Sequence, residues 1–493
     1  MAGIMAKTKE KAEFGDFQTP EPLAAQICAL LARLGCKPAS LVEPTCGEGN
    51  LLFAALKQLT TVRRAIGLDV SPDYVAAAQR RSAQEATGTA DVRIVQGNFF
   101  DTDWGSLVEP LPGPLLVIGN PPWVTNAELS ALGSANIPEK TNFQKHNGLD
   151  AITGKSNFDI SEWILIQILR WLDGKDAALA MLCKTSVARK ALSYAWKHGI
   201  AIAQSAIYRI DAREHFGASV DACLLFCVFA PAARSFDTHV FNSLTAVKPE
   251  RTIGYRDGEV IASVESYNLW KHLRGLENHK WRSGIKHDCS KVMELTKEGD
   301  LYRNGLGALI SLEPDYLFPM MKSSEIASDA ELTPKRWMLV PQRSVREDTM
   351  RIRDVAPKTW KYLETYGHLL DKRGSSIYKD RPRFSVFGVG EYSFAEWKVA
   401  ISGFYKRLNF KVIGSHEGKP TVLDDTSYFI PCETKPEAEH IASILNSAEA
   451  KAFFESFVFW DAKRPITVDL LRRLDLDLLG RELGQVALVT VQR

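Results

Sequence analysis

The sequence predicts an α/β protein with a mainly parallel sheet in its N-terminal half, followed by a second domain of different texture. Short apolar runs alternate with helix-like segments between about Leu41 and Pro231, and alternating β and α units imply a parallel sheet covered on both faces. After about Ala233 this rhythm stops, and aromatic residues are mixed with Lys and Arg. A chain of 493 residues is long enough for two or three domains, and we place the boundary between residues 238 and 239.

Residues typical of helix starts support this alternation of strands and helices. Asn50 and Ser71 precede two helix-like segments, and Pro72 lies in the first turn of the second, as is common at helix starts. The predicted strands span residues 41–44, 63–70, 92–100, 114–122, 177–184, 205–211 and 221–230. The last two have no helix-like segment between them, so we expect the seven-stranded sheet to end in an antiparallel hairpin.

Composition and charge exclude several classes of protein. The net charge is only +2, so any positive surface must come from local clustering. The longest apolar runs, such as 224–230, are too short to span a bilayer, and the first residues lack the apolar stretch of a signal peptide. The eight cysteines are scattered without zinc-site spacing. We therefore expect a cytoplasmic protein with reduced thiols, no metal and no membrane partner.

A glycine-containing turn follows the first predicted strand. Residues 43–50 read EPTCGEGN, and Gly47 and Gly49 would let the backbone turn sharply and approach a ligand closely. The next strand ends at Asp69, where an acidic residue can bind both ribose hydroxyls of a nucleoside. The spacing is only a fragment of the dinucleotide fingerprint, and the alternative is a glycine turn with a helix-capping aspartate. Together these features favour nucleoside binding.

The segment Asn120-Pro121-Pro122-Trp123 follows the apolar strand 115–119, and so lies at the carboxyl end of a parallel strand, where open α/β sheets bind ligands. Two prolines hold the backbone extended and remove two N–H donors. The Asn120 side chain and the Pro121 carbonyl could then accept from an amino group and stabilise positive charge developing on its nitrogen. Trp123 offers a face on which an extruded base can stack. The alternative is an ordinary turn after a strand.

These motifs, in this order, resemble the amino-group DNA methyltransferases, in particular the N6-adenine enzymes of the γ arrangement, in which target recognition lies at the C-terminus. The resemblance covers about residues 13–231 and extends more loosely to the end. It implies a Rossmann-like class I methyltransferase domain over 1–238, an α+β target-recognition domain over 239–493, and S-adenosylmethionine as cofactor. The cofactor-binding residues that it implies are Phe17, Thr19, Glu43, Pro44, Cys46, Gly47, Gly49, Asp69, Asn98 and Phe99.

Within that set, the resemblance gives each segment a role. Thr19 matches the family's contact to the methionine part of the cofactor, residues 43–49 match its methionine-binding loop, and Asp69 matches its ribose-binding acid. Asn98 and Phe99 lie in the segment that holds the cofactor's adenine, where the family usually has Asp in place of Asn98.

Two further segments match the family. An aromatic residue before the last strand packs against the flipped base in such enzymes, which makes Phe216 the expected second wall opposite Trp123; a loop aromatic in the core is the alternative. Residues 155–159 resemble the motif that opens the helix after the catalytic loop. Asn157 or Phe158 would line the cofactor pocket there, or would only cap the helix and pack in the core.

The C-terminal part resembles the target-recognition region of stand-alone methylases and of fused restriction–modification enzymes. Lys and Arg beside aromatic residues suit phosphate contact and base stacking, although a charge run is usually a solvated face. Stretches of this kind are 280–295, 378–388, 396–411, 426–432 and 457–467. Glu396 and Lys398 match the E-x-K fragment of a nuclease site, which is common by chance. We interpret it as part of a strand and expect no nuclease in this chain.

The predicted function is site-specific methylation of N6 of a flipped adenine in double-stranded DNA, with Asn120, Pro121, Pro122 and Trp123 as catalytic residues. Such enzymes mostly belong to restriction–modification or defence systems, whose other proteins would be encoded separately. Two alternatives stay open. The same motif serves other amino groups, namely cytosine N4, RNA adenine and protein glutamine. A DNA-binding subunit could also keep a catalytically silent methyltransferase fold.

Overall fold

The computed structural model describes residues 18–85, 90–124, 159–275, 279–330 and 332–485. It divides the chain into two compact units, Met1–Val264 and Glu265–Arg493. The division falls later than the predicted boundary after residue 238, because three further strands, beginning at Asp237, join the sheet of the first unit. Across the described ranges, no helix is both long enough and apolar enough to cross a membrane.

The first unit is built on one ten-stranded sheet. Its strands are β1 (Ser40–Glu43), β2 (Arg64–Asp69), β3 (Asp91–Gln96), β4 (Leu115–Gly119), β5 (Ala177–Lys184), β6 (Ile202–Ile210), β7 (Ala222–Phe229), β8 (Asp237–Phe241), β9 (Arg251–Arg256) and β10 (Glu259–Ile261). Its described helices are α1 (Glu21–Arg33), α2 (Asn50–Gln58), α3 (Pro72–Gln84), α4 (Trp104–Val108), α5 (Ile160–Leu172), α6 (Thr185–Lys197) and α7 (Ala212–Phe216).

The strand order is β10-β9-β8-β6-β7-β5-β4-β1-β2-β3. Strands β3, β2, β1, β4 and β5 are mutually parallel, and β7 runs antiparallel to both β5 and β6. The predicted antiparallel pair is therefore present, joined through the short helix α7. The predicted count of seven strands is wrong, because β8, β9 and β10 are also in the sheet. These strands are short and only partly buried, so they leave no long apolar run in the sequence.

The order of the central strands locates a crevice at one edge of the sheet. Every residue of β1 and of β4 is buried, as expected for central strands covered on both faces. The chain proceeds from β1 to β2 and β3 on one side, and continues from β4 to β5 on the other. In open α/β sheets this reversal of strand order leaves a crevice at the carboxyl ends of the strands, where ligands bind.

The second unit contains helices and two smaller sheets. One sheet has the order β11-β20-β17-β18 and is antiparallel; the other has the order β14-β13-β12-β16-β15-β19, in which only β15 and β19 pair in parallel. The strands are β11 (Arg282–Ser283), β12 (Glu294–Glu298), β13 (Leu301–Asn304), β14 (Leu309–Ile310), β15 (Leu317–Met321), β16 (Arg336–Leu339), β17 (Trp397–Ser402), β18 (Lys411–Ile413), β19 (Val422–Leu423) and β20 (Ser427–Cys432).

The helices of this part of the chain are mostly short. They are α8 (Val264–Trp270), which begins at the division, α9 (Ser290–Met293), α10 (Ser323–Ala327), α11 (Ile352–Val355), α12 (Pro357–Thr365), α13 (Gly367–Leu370), α14 (Lys435–Leu445), α15 (Ala448–Glu455), α16 (Val468–Leu471) and α17 (Leu476–Glu482). Five 3-10 helices complete the described elements: Lys271–Leu273, Pro314–Tyr316, Thr349–Arg351, Ser376–Tyr378 and Glu391–Phe394.

All eight cysteines are free thiols, and six of them are buried. Burial raises the pKa of Cys28 to about 12 and that of Cys36 to about 11. Burial likewise raises the pKa of the half-buried Cys289. These thiols therefore stay protonated near neutral pH.

Candidate functional site

The glycine turn after β1 adopts a conformation that only glycine accepts easily. Gly47 has φ +51° and Gly49 has φ +82°, the left-handed region that costs other residues about 1–2 kcal/mol. Space is also short: a Cβ on Gly47 would lie 2.3 Å from Gln18 Oε1, and one on Gly49 would lie 2.6 Å from the Phe53 ring. The turn is therefore packed against its neighbours and leads directly into α2.

The Asp69 carboxylate is fixed by two backbone amides. Gly47 N–H donates to Oδ2 at 2.8 Å, and Ser71 N–H donates to Oδ1 at 2.9 Å. These bonds hold the end of β2 against the glycine turn. Both carboxylate oxygens are therefore oriented by the main chain at the carboxyl end of β2.

Glu43, the last residue of β1, is buried with only 3% of its surface exposed. Its Oε2 accepts from Leu52 N–H at 2.8 Å, in the first turn of α2. Burial raises the pKa of Glu43 well above its usual value; the Leu52 bond opposes this shift, and the negative charge of Asp69 adds to it. A cationic group beside Glu43 would therefore be electrostatically favourable.

The segment before α1 lies against the glycine turn. Asn50 Nδ2 donates to the Thr19 carbonyl at 2.9 Å, and Glu48 N–H donates to Gln18 Oε1 at 3.2 Å. Thr19 itself is buried. Phe17, predicted to belong to the same segment, lies outside the described residues, as do Asn157 and Phe158.

Pro44 and Cys46 connect this turn to the neighbouring strands. Cys46 is buried, and its N–H donates to the Leu68 carbonyl at 2.8 Å, which joins the turn to β2. On the other side, a Cβ built on Gly119 would lie 3.6 Å from Pro44 Cδ. Gly119 ends β4 and precedes Asn120, so the glycine turn and the 120–123 segment are direct neighbours.

The Gly97-Asn98-Phe99 segment follows β3. Asn98 Oδ1 accepts from Phe100 N–H at 3.0 Å, so the oxygen expected to face the cofactor's adenine is engaged by its own loop. The Asn98 NH2 group is the one that can donate to a ring nitrogen. Phe99 is buried and stacks on Trp171 of α5, with ring centroids 5.3 Å apart, and its main role in this structure is to pack the loop onto α5.

The segment Asn120–Trp123 leaves the carboxyl end of β4. Asn120 and Pro122 are half-buried, Pro121 is buried, and Trp123 is 5% exposed. Phe216, the last residue of α7, contacts Trp123 edge to face, with centroids 5.1 Å apart and planes at 71°. A base between two parallel rings needs about 7 Å, twice the van der Waals contact of ~3.5 Å. The two aromatic residues are thus brought together, but they touch each other.

Two charged residues beside this segment were not predicted to be functional. Lys184, at the end of β5, donates from Nζ to the Trp123 carbonyl at 2.9 Å and to Asp159 Oδ2 at 2.6 Å. Asp159 also caps α5 by accepting from Ser161 N–H at 3.1 Å. Sequence spacing gives no signal for this contact, since Lys184 lies 61 residues from Trp123. The sequence analysis offered only the 155–159 segment as the start of the helix that forms α5.

Comparison with known proteins places the chain in a family. It is 45% identical over 474 residues to the type II methyltransferase M.NspV of Nostoc sp. (strain ATCC 29411 / PCC 7524), covering 96% of this chain and 98% of the relative. The chain belongs to the type II methyltransferase family. No protein-family model matches the chain.

Solved structures give weaker likenesses to this type II methyltransferase. The type IIL restriction–modification enzyme MmeI in complex with DNA matches with TM-score 0.48 and 13% identity over 99% of this chain and 76% of that one. A methyltransferase subunit of a type I restriction–modification system from Streptococcus thermophilus matches with TM-score 0.31 and 14% identity over 45% and 46% of the two chains. Both TM-scores lie below 0.5, so the family assignment rests on the Nostoc relative.

The second unit of this methyltransferase carries a basic and aromatic concavity. It has a volume of about 430 Å³ and is lined by Lys406, Arg407, Leu408, Asn409, Lys451, Glu455 and Trp460. Three cations face one carboxylate there. The lining comes from two of the predicted stretches, 396–411 and 457–467, and from α15 between them. The mixture of aromatic and basic residues in the sequence predicted these two stretches, but it gave no sign that they line the same concavity.

Another predicted contact stretch, 426–432, is largely internal. Residues 427–432 form β20, whose side chains are mostly buried. Lys398 of the E-x-K fragment is 1% exposed within β17 and donates to the Ala395 carbonyl; burial lowers its pKa to about 7. The interpretation of the fragment as part of a strand is confirmed. In the described parts of both units, no group of three or more His, Cys, Asp or Glu could hold a metal ion.

Proposed function

We propose that this protein is a DNA methyltransferase of the restriction–modification type that transfers a methyl group from S-adenosylmethionine to N6 of adenine. The observation that carries the proposal is the position of Asn120–Trp123, directly beyond β4 and beside the glycine turn, since a Cβ on Gly119 would lie 3.6 Å from Pro44. The name of the Nostoc relative supports methyl transfer. The residue chemistry of the segment supports an amino-group acceptor.

The residues at the ends of β1 and β2 fit S-adenosylmethionine. The Asp69 carboxylate is oriented by Gly47 and Ser71 at the end of β2, the position at which an acidic residue can bind ribose hydroxyls. Burial disfavours the ionised form of Glu43, and a cationic ammonium such as that of a methionine moiety would stabilise this form. The left-handed, Cβ-free turn at Gly47 allows close approach to the backbone. When bound, the cofactor would supply a methyl group on a sulfonium.

The catalytic work assigned to this chain is orientation and electrostatic stabilisation. Asn120 Oδ1 and the Pro121 carbonyl accept the two hydrogens of the amino group, which directs the nitrogen lone pair toward the methyl carbon. Glu43 and Asp69 would hold S-adenosylmethionine, which would supply the methyl group to this nitrogen; its sulfur would keep the electron pair of the broken carbon–sulfur bond, and one amino proton would leave to water. Both acceptors are neutral, so they stabilise positive charge on nitrogen without capturing the proton first.

The target base reaches this segment by replacing an aromatic contact. Trp123 and Phe216 touch edge to face, so a base that stacks on Trp123 must displace the Phe216 ring. Breaking such a pair costs about 0.5–1.5 kcal/mol. Stacking of a base on an aromatic residue returns about 1–3 kcal/mol, so base binding can drive the opening.

The second unit is proposed to contact DNA through its basic and aromatic concavity. Lys406, Arg407 and Lys451 provide charge for phosphates, and Trp460 provides a flat face for stacking. The single carboxylate, Glu455, leaves the lining net positive. Residues 239–493 would accordingly serve target recognition.

The test is methylation of DNA by the purified protein. Wild type, Asn120→Ala and the control Asn268→Ala, an exposed asparagine on α8, are incubated with labelled S-adenosylmethionine and unmethylated bacterial genomic DNA. The DNA is then digested and its nucleosides are identified. We expect N6-methyladenine from wild type and Asn268→Ala, and none from Asn120→Ala.

Each other outcome contradicts a different part of the proposal. N4-methylcytosine would overturn the adenine assignment and keep the DNA methyltransferase. Label that appears only in RNA or protein would overturn DNA as substrate. Cofactor binding by calorimetry, without methylation of any of these acceptors, would indicate a silent DNA-binding subunit.

A further inference from the structure

Lys184 and Asp159 form a charged pair next to the proposed catalytic segment. The ammonium lies 2.9 Å from the Trp123 carbonyl oxygen and 2.6 Å from Asp159 Oδ2. The side chains are 23% and 8% exposed, respectively. Since water screens the pair only partly, each charge acts strongly on nearby atoms.

This pair lies at a junction between the 120–124 segment and the start of α5. Ile160 N–H donates to the Val124 carbonyl at 3.0 Å, which joins the end of the catalytic segment to the start of α5. Lys184 bonds both sides of this junction, the Trp123 carbonyl on one side and the Asp159 side chain on the other. Because β5 lies beside β4 in the sheet, the lysine is anchored on the strand next to the one that carries the catalytic segment.

We propose that Lys184 is a positioning residue that aims the Asn120–Trp123 segment, and that Asp159 neutralises its charge beside the reacting centre. The inference rests on the proposed function, in which positive charge develops on the target amino nitrogen. An ammonium bound three residues from Asn120 would oppose that charge if it stood alone. The negative charge of the Asp159 carboxylate cancels this repulsion, while Lys184 still holds the segment in position.

If Lys184 positions the segment and Asp159 neutralises its charge, kcat should fall in a specific order among the variants. Lys184→Met removes the anchor and the charge together, so the segment loses alignment. Asp159→Asn keeps the anchor but leaves an uncompensated ammonium beside the developing positive charge. We expect kcat to fall about tenfold in Lys184→Met and further in Asp159→Asn, and we expect the double variant to recover to the level of Lys184→Met.

A matched control lies on α5 and α6, the helices that directly follow Asp159 and Lys184. Lys190 of α6 pairs with the buried Glu162 of α5 at 2.7 Å, and that pair does not bond to residues 120–124. Lys190→Met therefore breaks a lysine–carboxylate pair between α5 and α6 without touching the catalytic segment. We expect it to lower the melting temperature about as much as Lys184→Met does, with kcat within twofold of wild type.

The experiment measures steady-state kcat and KM for methylation of DNA that the wild type modifies, with the cofactor Kd measured in parallel. The inference predicts that kcat changes while KM and the cofactor Kd stay within twofold. It is overturned if Asp159→Asn is no slower than Lys184→Met, if the double variant is slower than both, or if Lys190→Met loses equal activity. If the wild type methylates no DNA, the proposed function fails first. If the wild type is active and this order is absent, only the present inference fails.

Discussion

Trp123 and Phe216 stand in edge-to-face contact, with ring centroids 5.1 Å apart and ring planes at 71°. Trp123 follows β4 and Phe216 ends α7, so two connections at the same edge of the sheet supply the pair. The contact leaves Trp123 5% exposed. A ligand that stacks on Trp123 must therefore open this pair first.

Phe216→Ala should weaken both stability and methylation. Loss of the aromatic contact should lower the free energy of unfolding by about 1 kcal/mol. Loss of a stacking wall worth ~1–3 kcal/mol outweighs the easier opening, so kcat/KM should fall about tenfold. Urea unfolding and steady-state methylation measure the two effects.

Phe241→Ala is the control for that substitution. Phe241 stacks on Tyr208 in the same unit, with centroids 4.5 Å apart, but it is not in the proposed site. Its substitution should cost similar stability and leave kcat/KM within twofold. Equal losses of activity in both variants would contradict a base-stacking role for Phe216.

Gly47→Ala should weaken cofactor binding at least tenfold. A Cβ there lies 2.3 Å from Gln18 Oε1, and φ is +51°, so either the turn or the Gln18 side chain must move. Calorimetric titration with S-adenosylmethionine measures the effect. Gly35→Ala is the control, because it has comparable backbone strain at φ +79° but nothing lies within 4 Å of the new Cβ. It should lose about 1–2 kcal/mol of stability and keep normal cofactor affinity.

Glu43→Gln should change how stability depends on pH. Burial raises the Glu43 pKa in the folded protein above its usual value of about 4.5, so the folded state holds a proton that the unfolded state has already released. The wild-type free energy of unfolding should therefore fall as pH rises above about 4.5, until pH passes the raised pKa. Glutamine has no such proton, so that fall should be absent from the variant.

Urea titrations of wild type and Glu43→Gln at pH 5 and pH 8 test this expectation. The stability difference in favour of the variant should grow with pH by on the order of 1 kcal/mol. Other titrating groups are common to both proteins and cancel in the difference. Parallel pH dependences would show that Glu43 ionises normally.

Lys406→Ala combined with Lys451→Ala should reduce the salt dependence of DNA binding. If both lysines of the concavity contact phosphates, the slope of log affinity against log salt should flatten by about 2. Fluorescence anisotropy of labelled duplex DNA at several salt concentrations gives the slope. The control pair Lys57→Ala and Lys435→Ala removes two lysines that pair with Glu85 and Glu439 and should leave the slope unchanged.

The sequence predicted the central sheet and the positions of the turns at the carboxyl ends of its strands, because buried parallel strands are continuous apolar runs. Glu43 ends β1, Asp69 ends β2 and Asn120 directly follows β4, as that pattern requires. The strands β8 to β10 escaped prediction, since they are short and half-buried. They belong to the first compact unit, which ends at Val264, beyond the expected boundary after residue 238.

Contacts between residues far apart in the sequence could not be predicted from the sequence. The bonds of Lys184 to Trp123 and Asp159 join positions 61 and 25 residues apart, and only the packing of β5 beside β4 brings them together. The touching rings of Trp123 and Phe216 likewise depend on the exit direction of α7. Sequence patterns identified which residues gather at the edge of the sheet, but not the bonds among them.

The state of the cysteines has a practical consequence for labelling. Each native thiol is buried or half-buried, and burial raises the pKa of Cys28, Cys36, Cys46 and Cys289. Thiol-directed dyes react with exposed thiolates, so the unmodified protein offers them poor targets. A single cysteine introduced at an exposed position could carry a fluorophore without prior removal of the native eight, and opening of the Trp123–Phe216 pair could then be followed by single-molecule fluorescence.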